Sequence, residues 1–125
     1  MIDIGKFFRS FRFAAQGIVD LFRFENNAKI HLLAAAVVIG AGIWLGLSAM
    51  EWAMIATQIG LVIAAEAFNT ALEKLANRIT IQQDPLIKAA KDLASGAVLI
   101  VALTALVVGL LIFVPKVLAM QWAAD

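Results

Sequence analysis

The sequence predicts an all-α integral membrane protein: an N-terminal amphipathic surface helix plus three transmembrane helices, forming a single domain over residues 1–125. Three observations predict it. The chain is 63% hydrophobic and 15% charged, with a mean hydropathy of +0.94. Soluble domains carry about 25% charge, and so short a chain cannot hide this much apolar side chain from water, so lipid must be part of its solvent. It also contains three apolar stretches near the roughly 20 residues needed to cross about 30 Å of hydrocarbon. Finally, its basic residues gather on one side of the spans those stretches define.

The N-terminal segment places Phe7, Phe8, Phe11, Ala14, Ala15, Ile18, Leu21 and Phe22 at spacings of three and four, with Arg9, Arg12, Gln16, Asp20 and Arg23 between them. That pattern is an amphipathic helix with its basic side toward lipid headgroups. Because Lys6, Arg9, Arg12 and Arg23 interrupt any apolar core, Met1 to Glu25 does not read as a signal peptide. Ile30 to Leu47 is the first span, and its Gly42 and Gly46 form a small-xxx-small pair that would allow close helix contact. Glu51 to about Arg78 is the second, opened by the interfacial aromatic Trp52. Asp84-Pro85 reads as an N-cap followed by proline at the first helical position, starting a third helix that should end at Pro115.

Lys6, Arg9, Arg12, Arg23 and Lys29 precede the first span, and Lys74, Arg78, Lys88 and Lys91 flank the second connection; the first connection carries no basic residue. By the positive-inside rule the N-terminus and second connection are cytoplasmic, and the C-terminus lies outside the plasma (inner) membrane. A net charge of +1 gives no electrostatic case for nucleic acid, and the absence of cysteine excludes disulfides, thiolate metal sites and a cysteine nucleophile.

Chemistry concentrates on the second span. Glu66, Asn69 and Glu73 stand at i, i+3 and i+7 and share a helix face. Glu66 precedes Arg78 by twelve residues, or roughly 18 Å of helix, which puts it inside the hydrocarbon if Arg78 marks the interface. An ionisable group there costs about 2.5–3.5 kcal/mol on insertion scales and should face protein or water. Glu25, Lys91 and Asp92 belong at the cytoplasmic interface, level with Glu73. Magnesium takes oxygen ligands, commonly one or two carboxylates plus phosphate oxygens, so Glu25 and Glu73 fit a metal. Lys91 offers a point charge to phosphate, and Glu66, deeper, can accept the proton of a lipid hydroxyl. His31, at the start of an apolar helix, has no visible ligand partner and reads as structural or headgroup-facing. No Walker or Gly-rich nucleotide motif and no zinc signature is present. A small channel or transporter subunit with an intramembrane carboxylate relay is the alternative; Glu66 alone would suit it, but it would not need Glu73, Lys91 and Asp92 at one interface.

Glu66-Ala-Phe-Asn69-Thr-Ala-Leu-Glu73 resembles the E-x-x-N-T/S-A-I/L-E signature of the prokaryotic diacylglycerol kinase family, which includes undecaprenol kinases. Ala90-Lys91-Asp92-Leu-Ala-Ser95-Gly-Ala-Val-Leu resembles its A-K-D-x-x-S/A-x-A-V-L motif, and the likeness runs from about Lys6 to Pro115. The resemblance implies ATP-dependent phosphorylation of a membrane lipid alcohol, with Mg²⁺, in a homotrimer whose active sites are shared between subunits. It implies Glu66 as catalytic base, also touching the lipid substrate with Asn69 and Ser95, and Glu25 and Glu73 as metal ligands. It implies a nucleotide site of Phe13, Gly17, Glu25, Glu73, Lys91 and Asp92. Departures fall on the nucleotide side: Phe13 stands where tyrosine is common, Asn77-Arg78 where Asp-Arg or Asp-x is, and Gln83-Asp84 where a Tyr-His pair is. Lys29-Ile-His31-Leu-Leu-Ala34 and Gly46-Leu-Ser48-x-x-Glu51-Trp52 look more like the undecaprenol branch than the diacylglycerol branch.

Overall fold

A computed structural model describes residues 1–124 as four helices: α1 Ile4–Phe24, α2 Asn26–Leu45, α3 Ala49–Ile79 and α4 Pro85–Trp122. Local chemistry sets their ends. The Asp3 carboxylate accepts from the Lys6 N–H at 2.8 Å and caps α1. Glu25 alone separates α1 from α2, in extended conformation (φ −95°, ψ 119°). Gly46 ends α2 at φ +74°, a left-handed geometry that glycine adopts without penalty. Ser48 and Glu51 then open α3 with a reciprocal capping box. Asp84 caps α4 by accepting from the Leu86 and Ile87 N–H groups, with Pro85 at the first helical position as the sequence predicts.

Two expectations are corrected. Pro115 does not end its helix: α4 continues through it to Trp122. Proline removes one i→i−4 bond, and the residues beyond it (Lys116, Val117, Leu118, Ala119 and Met120) are apolar or favourable helix formers that resume the ladder. Lys116 is also held, its Nζ 3.1 Å from the Glu51 carboxylate and 3.5 Å from the Gly46 carbonyl. Nor do Gly42 and Gly46 act as a pair. A Cβ at Gly42 would come within 2.8 Å of both Leu47 and the Trp52 ring, so this glycine admits the turn and the start of α3. Gly46 serves the turn itself.

The links between α2, α3 and α4 are short, so these three helices run antiparallel in succession. Contacts at both ends agree: Lys116 of α4 meets the α2–α3 turn, and Lys91 of α4 meets Asn77 near the end of α3. The pairing of α3 with α4 is the most extensive, α2 lies mainly against α3, and α1 touches α2 and α3.

Three helices, α2, α3 and α4, are long and apolar enough to cross a membrane. The chain exposes 9547 Å², whereas a soluble monomer of its mass exposes about 6,500 Å². Almost none of the apolar window of α4 is buried within the chain, and Ile112 is its one buried residue. Lipid or further protein must cover what remains.

Candidate active site

The buried residues of α3 are Ile55, Val62, Glu66, Asn69, Thr70 and Ala76. The helical period turns Glu66, Asn69 and Thr70 inward, toward the other helices, and leaves Phe68 exposed on the opposite side. Glu66 is 3% exposed and Asn69 6%. Few carboxylates are buried this deeply without a partner. The partner of Glu66 is His31 of α2, whose Nε2 lies 3.7 Å from a carboxylate oxygen. Sequence reasoning left His31 without a partner because the pairing joins two helices and no spacing along one chain segment reports it. The Asn69 Oδ1 is buried with no hydrogen-bond partner among the described residues, a costly state that a ligand hydroxyl or another chain would relieve.

Glu25 reaches the same cluster from the break between α1 and α2. Because that residue is extended, its side chain leaves the line of both helices, and its carboxylate meets Lys74 Nζ of α3 at 3.4 Å. Glu25 and Glu73 both lie within electrostatic reach of Glu66. The structure therefore gathers Glu25, Glu66, Asn69, Glu73 and, unforeseen, His31 and Lys74. Lys74 was legible as the neighbour of Glu73, but its aim at Glu25 depends on the bend between α1 and α2.

Two of the remaining candidates, Lys91 and Asp92, line an open rim. Lys91 Nζ donates to the Asn77 Oδ1 at 3.0 Å, joining α4 to α3. Around this bond lies an open cavity of about 560 Å³ whose mixed lining includes Asn77, Asp84, Lys88, Lys91 and Asp92 beside Ile81 and Ile87. Asp92 is turned to Lys88, one helical turn back, and both are exposed. Ser95 is exposed on the same face of α4 as Lys91. Phe13 and Gly17 are exposed on α1, and a Cβ at Gly17 would meet nothing within 4 Å, so the fold itself does not require glycine there. Within one chain these α1 residues are not drawn into the carboxylate cluster.

No group of three His, Cys, Asp or Glu side chains among the described residues forms a closed metal cage. The donor set nonetheless suits a cation shared with phosphate: two oxygen-bearing side chains, one of which already holds an ammonium. A second apolar cavity, about 420 Å³, lies between α2, α3 and α4 and is lined by residues including His31, Val38, Ile55, Val62, Leu106 and Phe113.

A family described as prokaryotic diacylglycerol kinase matches residues 12–113. The chain is 42% identical over 114 residues to an undecaprenol kinase of Bacillus subtilis, covering 91% of this chain and 93% of that protein. It is 38% identical over 114 residues to a diacylglycerol kinase of Synechocystis sp., covering 90% of this chain and 65% of the relative. A diacylglycerol kinase of Haemophilus influenzae is 29% identical over 91 residues, 73% of this chain and 77% of that protein.

Proposed function

The chain belongs to the prokaryotic diacylglycerol kinase family, and from that premise we propose that it transfers the γ-phosphoryl group of Mg-ATP to the hydroxyl of undecaprenol at the cytoplasmic face of the membrane. As a lipid kinase it is an enzyme, which sets aside the channel or transporter alternative. The observation that carries the mechanism is a carboxylate, Glu66, buried at 3% exposure beside the orphaned Asn69 amide, on the helix that leads to Glu73. The preference for undecaprenol draws support from the 42% identical relative of that name and from the Lys29–Ala34 and Gly46–Trp52 segments.

The reaction divides along α3. Glu66 accepts the proton of the lipid hydroxyl, and the Asn69 side chain orients that hydroxyl by hydrogen bonding. About ten ångströms along the helix axis, Glu73 and the Glu25 carboxylate would hold Mg²⁺, with the Lys74 ammonium beside Glu25. Bound there, the ion supplies charge neutralisation for the phosphate oxygens. Lys91 and Asp92 line the rim toward the nucleotide, with Phe13 and Gly17 approaching from α1, and Ser95 contacts the lipid. α1 lies on the membrane surface, its exposed Phe7, Phe8 and Phe11 turned to lipid. Three helices cannot enclose the polar stripe, and the large exposed surface supports a homotrimer with sites completed between subunits.

Two measurements test this assignment. In detergent–lipid micelles, ATP-dependent phosphate transfer is expected to both lipids, with kcat/KM higher for undecaprenol than for diacylglycerol. Equal or reversed preference would overturn the lipid assignment, and transfer to neither would overturn the kinase itself. For orientation, Ser48→Cys is expected to be labelled by an impermeant thiol reagent on intact cells, whereas Gln82→Cys is labelled only after lysis. The opposite pattern would put the ATP site on the face without ATP.

A further inference from the structure

We infer that His31 is a positioning residue for the proposed base: it holds the Glu66 carboxylate toward the lipid hydroxyl and takes the proton from it after phosphoryl transfer. This inference rests on Glu66 being the base. The need for such a group follows from burial. Once Glu66 has removed the hydroxyl proton, it is a carboxylic acid with a side chain 4% exposed. It cannot serve a second turnover until that proton leaves. His31 Nε2, 3.7 Å away, is the nearest basic partner, and its side chain is 23% exposed. The separation is about 0.5 Å beyond hydrogen-bond range, which a small rotation of either side chain closes.

The surroundings leave His31 as the route. The other charged groups facing Glu66 are Glu25, at the break between α1 and α2, and Glu73 on α3. Both are acidic, and the Lys74 ammonium already sits on Glu25. From α4, no ionisable residue is available between Asp92 and Lys116. Among the residues lining the apolar cavity, His31 is the one ionisable side chain. It stands five residues into α2, roughly 8 Å from the start of that helix, on the way back to the interface where Lys29 lies.

The proton balance closes at each step. As the lipid oxygen bonds to the γ-phosphorus and the bond from that phosphorus to the ADP oxygen breaks, the hydroxyl proton passes to the Glu66 carboxylate. The resulting acid gives that proton to the neutral imidazole at Nε2. Glu66 is again a carboxylate, and the imidazolium releases one proton to water.

The experiment compares wild type, His31→Gln, His31→Gly and Glu66→Gln in lipid micelles, with oligomer elution and helical circular dichroism checked for each. His31→Gln is expected to lower kcat by roughly 10- to 100-fold, the loss that misplacing a reacting group by about 1 Å produces, with the KM for ATP unchanged. Its deficit should narrow as pH rises, because hydroxide then strips the proton from Glu66. Added imidazole should restore His31→Gly in proportion to its concentration and leave wild type unchanged. A wild-type kcat in His31→Gln would overturn the inference, as would a deficit independent of both pH and imidazole. Substantial turnover by Glu66→Gln would instead remove the base assignment itself, which separates the two failures.

Discussion

Glu66→Gln is expected to lose phosphoryl transfer by about 10²- to 10⁴-fold, the usual contribution of general-base catalysis, while binding Mg-ATP with near-normal affinity. The amide preserves the shape and hydrogen-bonding capacity of the side chain but cannot accept the hydroxyl proton. Because Glu66 is buried among α2 and α3 and lies inward of the rim where Lys91 meets Asn77, the substitution should not disturb the nucleotide side. Neutralising a carboxylate at membrane depth also removes an ionic burial cost, so the variant should fold at least as well as the parent. Binding measured by displacement of a fluorescent ATP analogue, beside initial rates of lipid phosphate formation, reads the two effects separately. Turnover near wild type in well-folded protein would eliminate Glu66 as the base.

The second large effect belongs to the carboxylates nearer the interface. Glu73→Ala and Glu25→Ala are each expected to raise the Mg²⁺ concentration for half-maximal activity by roughly 10- to 100-fold, the loss typical when a group supporting a bound metal is removed. Each deletion takes one oxygen donor from an ion that has at most two protein carboxylates and fills the rest of its coordination from phosphate and water. Glu25→Ala has a further consequence: Lys74 loses its counterion and is free to approach phosphate. Its affinity for ATP without magnesium should therefore rise more than that of Glu73→Ala. Titrating Mg²⁺ at fixed ATP, with Mn²⁺ binding followed by electron paramagnetic resonance, checks both. Unchanged metal requirements in both variants would defeat the ligand assignment.

How much of this was legible follows from the range over which each signal acts. Apolar length announces three spans, and capping chemistry places the start of the last helix at Asp84-Pro85. Helical periodicity puts Glu66, Asn69 and Glu73 on one stripe, and two of them are buried as that requires. The stop at Pro115 failed because proline deletes one backbone bond, whereas the Lys116–Glu51 pair and the favourable residues after it hold the last turns in place. The role of Gly42 was hidden because it depends on Trp52, ten residues onward and across a turn. His31 and Lys74 illustrate the same limit: both act across helices, where no spacing rule along the sequence operates.

The bareness of α4 bears on how this protein can vary over evolutionary time. Between Leu93 and Val114 the helix buries a single residue, Ile112, against its own chain. Exchanges among leucine, isoleucine and valine at its exposed positions, such as Leu99, Ile100, Leu103 and Leu111, leave the internal packing of the protomer untouched. Selection on them can come only from the bilayer or from neighbouring subunits. The exposed positions of α4 that resist drift among related sequences therefore outline the surfaces it shares with others, and those that wander mark the side it presents to lipid tails.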